Sequence, residues 1–383
     1  MTYTTISGYH IALIPAGLIG RRTEVMRVAR HLNVSAVAAF LVLVLPAFAS
    51  AAERAPAPRP VFPRFDLSYL PKIGGQGIIA VRPSEIAQHA TTAEVHHASQ
   101  MVGVLYSQIF GAQELDLAQM PTFDKLQECV FCLQMRFTAP KGGERASFML
   151  GGVTPGIMRT VEPFAWDRVF RKWFPKARTA RHAGRSYVQI PIHLTIPLPR
   201  GAEPDITMAA FIPDRRTVVF GAESEIKTLL DRLAADEPSP KPPTGWQQVD
   251  RDVVAFALDN RTVPLISGKF PKGYVGGKEA QALAGSLRTL AVGLSVGDRT
   301  RVRLVATARN PTRAVKVTEG LKGFFRIAVE GFEEEEEPDE LAAFGIALAK
   351  SATFEQSGRH VTGTLSADGN LVKMLLTLLR GPA

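Results

Sequence analysis

The chain has 383 residues, a formal net charge of +9, an apolar fraction of 46% and two cysteines. That length and apolar content predict more than one globular unit with a full hydrophobic core. A charge of +9 over 383 residues is no signature of nucleic-acid binding, and two cysteines exclude a disulfide-built scaffold.

Residues 1–52 read as an N-terminal extension and secretory signal. Arg27, Arg30 and His31 form a basic flank, Val34 to Leu45 is an uncharged apolar run, and Ala47-Phe48-Ala49 and Ala49-Ser50-Ala51 are small-residue cleavage patterns. The run is shorter than the ~20 residues a spanning helix needs, and Pro46 ends it, so cleavage is expected rather than anchoring. Met26 is expected to start translation unless the leader is unusually long. Arg21-Arg22 matches the paired arginines of a twin-arginine signal, although a basic flank supplies such a pair by itself. No cysteine follows the run, which excludes a lipoprotein anchor. Losing these residues removes four arginines and one glutamate and leaves a mature charge of +6. The expected location is the periplasm or the extracellular space, where no ATP or nicotinamide pool exists. No cofactor is therefore expected, and the mature chain offers no second apolar stretch long enough to span a membrane.

Residues 53–64 are rich in Pro, Ala and Arg and predict a flexible leader. The four prolines of 237–245 forbid helix and central strand, so they mark a linker between a first half, 65–236, and a second half, 246–383. Each half opens with an apolar strand, Gly77 to Val81 and Val253 to Leu258. A helical stretch comes next, and then a hairpin. In the first half Cys129 to Phe137 alternates, turns at Lys141-Gly142-Gly143-Glu144 and returns through Ser147 to Leu150. In the second half Leu290 to Val296 turns at Gly297-Asp298-Arg299-Thr300 into Val302 to Ala308. Helices follow at Pro163 to Phe174 and after the Asn310-Pro311 cap. Further hairpins turn at Arg181 to Arg185 and Gln356 to His360, and closing helices span Ser224 to Ala234 and Leu371 to Leu379. Ile206 to Ile212 with Thr217 to Phe220 stands out as an extra hairpin of the first half. The expected fold is α+β: two related halves, each an antiparallel sheet built of hairpins with helices packed on one face.

Phe65-Asp66-Leu67-Ser68-Tyr69-Leu70-Pro71, Gly77-Ile78-Ile79-Ala80-Val81-Arg82-Pro83 and Asp214-Arg215-Arg216-Thr217 running to Ser224 resemble segments of a loose group of exported bacterial proteins of unknown function with duplicated α+β halves. The group has no assigned activity, so the resemblance carries over no functional residue.

Cys129 and Cys132 lie three apart on a strand and point to opposite faces, which predicts inert buried thiols rather than a redox or zinc pair. Ser224-Glu225-Ile226-Lys227 matches the Ser-x-x-Lys of penicillin-binding proteins, but no Ser-Asp-Asn or Lys-Thr-Gly accompanies it. Ser224 is expected to be a helix cap. His89, Glu94, His96 and His97 cluster in sequence without the one-face spacing a metal needs, and turn composition accounts for His182 and His360. No catalytic elbow, zincin motif, Walker loop or dinucleotide fingerprint is present. Glu333 to Glu337 with Asp339 and Glu340 predicts a solvated acidic loop.

Arg159 to Arg185 is the most unusual surface candidate, with eight basic residues against Glu162 and Asp167. Helical spacing puts Trp166, Val169, Phe170, Trp173 and Phe174 on one face, opposite Arg168, Arg171 and Lys172. Such a helix either packs its rings in a core or lies on an anionic surface. Core packing is expected for the rings, which leaves Arg168, Arg171, Lys172, Lys176 and Arg178 as the candidate anionic-surface residues. The function expected is an exported, non-catalytic binding or interaction protein of the cell envelope, engaging an envelope protein or an anionic surface and no nucleic acid. The alternatives are a cell-envelope hydrolase with an unrecognised site and a structural envelope component. Intact-mass measurement of protein from the periplasmic fraction is expected to place the N-terminus between Ser50 and Glu53; full-length chain in the membrane fraction would show an uncleaved anchor.

Overall fold

The computed structural model describes residues 62–70, 77–88, 91–93, 95–96, 98–100, 119–138, 147–151, 156–193, 205–261, 266–267, 277–296, 299–333 and 340–369. The signal segment, the turns at Lys141 to Glu144 and Gly297-Asp298, the middle of the acidic run and the expected helix Leu371 to Leu379 lie outside the described residues.

The strands are β1 (Gly77–Val81), β2 (Leu126–Thr138), β3 (Ser147–Gly151), β4 (Gly156–Thr160), β5 (Arg178–His182), β6 (Arg185–His193), β7 (Asp205–Phe211), β8 (Thr217–Ala222), β9 (Val254–Asp259), β10 (Ile266–Ser267), β11 (Leu287–Ser295), β12 (Arg299–Ala308), β13 (Thr353–Ser357) and β14 (His360–Asp368). The helices are α1 (Pro83–Ala87), α2 (Trp166–Trp173), α3 (Glu223–Ala234), α4 (Trp246–Val249), α5 (Gly277–Ser286), α6 (Pro311–Glu333) and α7 (Glu340–Lys350). The result is a mixed fold around one large sheet, in the order β13-β14-β12-β11-β9-β1-β2-β4-β8-β7-β6-β5. Every pairing along that path is antiparallel. Both segments flanking the Pro-rich stretch feed this sheet, and they meet where β1 pairs with β9, from Gly77 opposite Leu258 to Val81 opposite Val254.

β1 is Gly-Ile-Ile-Ala-Val, and all five residues are buried. A strand with no polar position belongs inside a sheet covered on both faces. Its alternate side chains enter two cores. Ile79 and Val81 join Phe131, Met158, Phe220, Phe256, Leu290 and Leu304. Ile78 and Ala80 join Val130, Ile157, Val219, Ala257, Ala291 and Val305. The first core is roofed by Ile86 of α1, Trp166 and Phe170 of α2, Leu283 of α5, Val317 and Leu321 of α6 and Phe344 of α7. The second is covered by Ile226, Leu229 and Leu230 of α3, Trp246 and Val249 of α4, and Phe65 and Leu70 of the leading segment.

This corrects the expectation of helices on one face. The central strands are apolar on both sides, so a one-sided arrangement would leave Ile78, Val130, Ile157 and Val219 in water; α3 and α4 remove them from it.

β2 is longer than its hairpin partner. Its inner part, Leu126 to Phe131, pairs with β4, and its outer part, Gln134 to Thr138, pairs with β3. The sequence pattern missed β4. The hairpin expected to be the extra one, β7–β8, lies next to β4, and β5–β6 forms the outer margin. Asn310 caps α6 as expected, its Oδ1 accepting the Arg313 amide at 2.8 Å.

The close approach of β1 to β9 requires a glycine at 77, because a Cβ there would sit 2.5 Å from the Ala257 carbonyl oxygen. Gly77→Ala is expected to cost ~1–3 kcal/mol through this overpacking. Urea unfolding should register the loss, and an unchanged midpoint would show that the β1–β9 contact is looser than described.

Candidate functional site

The described residues place the basic segment on the outer margin of the sheet. In α2, Trp166 and Phe170 are 1% exposed and Val169 is buried with them. The rings form a chain: Phe164 meets Trp166 edge-on at 4.7 Å between centroids, and Phe170 stacks on Phe174 at 6.4 Å. Trp173 and Phe174 are half-buried at the rim of the same core. Core packing of this face is therefore what the helix does. The indole N–H groups of Trp166 and Trp173 are buried without a hydrogen-bond partner, a cost set against large apolar burial.

The opposite side of α2 is cationic. Arg168, Arg171 and Lys172 are exposed, as are Lys176 and Arg178 in the run into β5. The helix favours this order, since Asp167 lies in its first turn and Arg171 and Lys172 in its last, each complementing the helix dipole. Arg171 is committed: its Nε donates to Asp167 Oδ2 at 2.9 Å and its Nη2 to Thr179 Oγ1 at 3.1 Å, which clips α2 to β5. Arg168, Lys176 and Arg178 have no ion-pair partner among the described residues. Arg181 and Arg185, at the β5–β6 turn, extend the same exposed margin. β5 is an end strand, and charges on an end strand also discourage pairing with another chain.

Arg159 leaves this group altogether. It sits in β4, where Nη1 meets Glu128 Oε1 at 3.0 Å, Nη2 meets Asp66 Oδ2 at 2.7 Å and Nε donates to Thr217 Oγ1 at 3.2 Å. Burial pushes the Glu128 carboxyl up despite Arg159, whereas the hydrogen bonds from Arg159 and Ser68 outweigh burial and hold Asp66 down. The network ties the leading segment to β2 and β4, so Arg159 is structural. Arg82 is buried in the same region. It donates to the carbonyls of Pro63, Asp250 and Asp252, and its guanidinium lies 3.8 Å from the Phe65 ring centroid.

Ser224 is not the helix cap expected of it. α3 starts at Glu223 with Ala222 as N-cap, and Glu225 Oε2 accepts the Ala222 amide at 2.9 Å. Ser224 is exposed, and Lys227 turns to Glu223 Oε1 at 2.7 Å. Tyr187 and Gln189 also donate to Glu223, at 2.6 and 3.0 Å, so that carboxylate is spent on structure. A lysine held by a carboxylate is poorly placed to activate the serine.

Cys129 and Cys132 are free, buried and on opposite faces, and burial pushes the Cys132 thiol up to about 12. His89, Glu94 and His97 lie outside the described residues. His96 is exposed and within 3.0 Å of the Gln100 amide. His182 Nε2 meets Asp231 Oδ1 of α3 at 2.7 Å, and His360 approaches Thr307. Among the described residues no group of three or more His, Cys, Asp or Glu is placed to hold a metal, and no helix is long and apolar enough to cross a membrane. Pattern reading passed over Arg299, Arg301 and Arg303, which share one face of β12; their signal was the two-residue spacing.

The burial contrast along α2 sets its energetics. Trp166→Ala is expected to cost ~3–5 kcal/mol in urea unfolding, and Trp173→Ala less, because Trp173 retains solvent contact. Equal small losses at both positions would contradict the packing described. Comparison of the chain with known protein families, curated proteins and solved structures returns no match.

Proposed function

We propose that this is an exported, non-catalytic binding protein of the cell envelope, and that the α2–β5 margin is its contact surface for an anionic partner. The carrying observation is the division of α2: its aromatic face is consumed by the core, while Arg168, Lys172, Lys176 and Arg178 stand exposed on one margin. Such a surface attracts anions through the summed field of its cations rather than through a shaped pocket. Export and loss of residues 1–52 are part of this reading, supported by the apolar run and cleavage patterns near Ala49. So is a plan of two related halves, supported by the outward strand orders from the β1–β9 seam: β9-β11-β12-β14 on one side and β1-β2-β4-β8 on the other. Against the hydrolase alternative stands the pairing of Lys227 with Glu223 rather than with Ser224.

The test is cosedimentation with phosphatidylglycerol-containing vesicles. Wild-type protein should bind them and not pure phosphatidylcholine vesicles, with binding falling steeply as salt rises from about 0.05 to 0.3 M. The Arg168→Glu, Lys172→Glu, Arg178→Glu triple variant should lose this binding and keep its thermal stability, because all three side chains are exposed. Equal binding to both vesicle types, or binding by the triple variant, would sink the reading.

A further inference from the structure

We propose that the polar groove between β11, β12 and β14, on the face that carries α4, is a binding site for a free α-amino acid, holding its ammonium at Asp252 and its carboxylate at Arg301. The site is independent of the α2–β5 margin and rests on different residues.

The face is open because of its sequence. α4 packs mainly over β9 and β11 and reaches β12 through the Gln248 carbonyl, which accepts from Arg303. Beyond it the strands present hydroxyls and arginines: Ser295, Arg301 and Ser366 lie directly opposite one another in one row across β11, β12 and β14. Gly293, Arg303 and Thr364 form the next row. Between these rows is a cavity of about 290 Å³, of a size to take a small molecule rather than a chain.

Two groups in this cavity have opposite needs. Asp252, 9% exposed, lines it from the turn before β9; Ser295 Oγ donates to its Oδ1 at 2.9 Å, and its Oδ2 is buried with no hydrogen-bond partner. A carboxylate oxygen in that state calls for a donor. The carboxylate occupies the notch left by Gly293, where a Cβ would collide with Oδ2, so the chain has made room for an acid on top of the sheet. Arg301 is exposed and has no acceptor among the described residues, while its neighbours are committed: Arg299 to Asp368 at 3.2 Å, and Arg303 to the Gln248 carbonyl at 2.6 Å. Ser295 stands between the acid and the free arginine, bonded to one and directly opposite the other. A ligand that satisfies both carries N–H donors and an anion a few bonds apart, which is the chemistry of an α-amino acid. An anion alone would leave Asp252 Oδ2 unsatisfied and place a like charge beside it.

The experiment is calorimetric titration, backed by saturation-transfer NMR at millimolar ligand, with glycine, L-alanine, D-alanine, L-serine and L-glutamate as probes. At least one is expected to bind. N-acetylalanine, which lacks the ammonium, and alaninamide, which lacks the carboxylate, are each expected to bind at least about tenfold more weakly than alanine. Arg301→Gln and Asp252→Asn should each weaken binding by at least about tenfold, with the circular dichroism of both variants unchanged. Arg168→Glu should have no effect, so this result stands apart from the fate of the basic margin. Three outcomes overturn the proposal: no probe binds, N-acetylalanine binds as well as alanine, or Arg301→Gln binds like wild type.

Discussion

β1 is hydrogen-bonded on both sides, to β2 and to β9, and everything else in the fold depends on that double pairing. Five residues join the strands drawn from before and after the Pro-rich segment into one sheet. Neither side can be peeled away without exposing five rows of main-chain groups along β1, or without dividing both cores. Because β1 is apolar at every position, its neighbours must also be covered on both faces, and the helices are distributed accordingly: α1, α2, α5, α6 and α7 on one face, α3 and α4 on the other. The leading segment is part of this roof, with Phe65 against Trp246 at 6.0 Å between ring centroids.

Charge is buried where the seam ends. Arg82 closes that end by holding three carbonyls, two of them from the residues that lead into β9. Around it lie Glu128, Asp250 and Asp252, and burial raises the pKa of all three carboxyls. A carboxyl whose folded pKa exceeds its unfolded one holds its proton more tightly when folded, so its contribution is fully present below the unfolded pKa and lost as pH rises through the folded one. Asp66 works in the other direction, since the hydrogen bonds from Arg159 and Ser68 overcome burial, and its contribution is lost as pH falls. The region is thus a compromise between attraction and desolvation, in which removing one partner costs more than the pair contributes. This is why Arg159, so similar in sequence to its basic neighbours, is unavailable for binding.

Periodicity alone was enough to read most of the elements. Alternation marked β2, β11 and β12; a stripe at helical spacing marked α6 and the aromatic face of α2; Asn310-Pro311 marked a helix start; the spacing of Cys129 and Cys132 told that they face opposite ways. Each of these is a local consequence of backbone geometry, which repeats every two or every 3.6 residues whatever lies nearby. The position of Arg168, Arg171 and Lys172 on the outside of α2 follows from the same rule. What lay beyond the sequence is everything that depends on partners distant in the chain. The pairing of β1 with β9 joins residues more than 170 positions apart, and no local pattern encodes which strand a buried strand will meet. The choice of face for α3 depends on which side of the sheet is still bare. Glu223 and Glu225 displaced Ser224 from its expected capping role because Lys227, Tyr187, Gln189 and the Ala222 amide converge there in space. The Asp252–Gly293–Arg301 arrangement draws on a turn and two strands, and only the tertiary structure sets a buried acid, a missing side chain and a free guanidinium side by side.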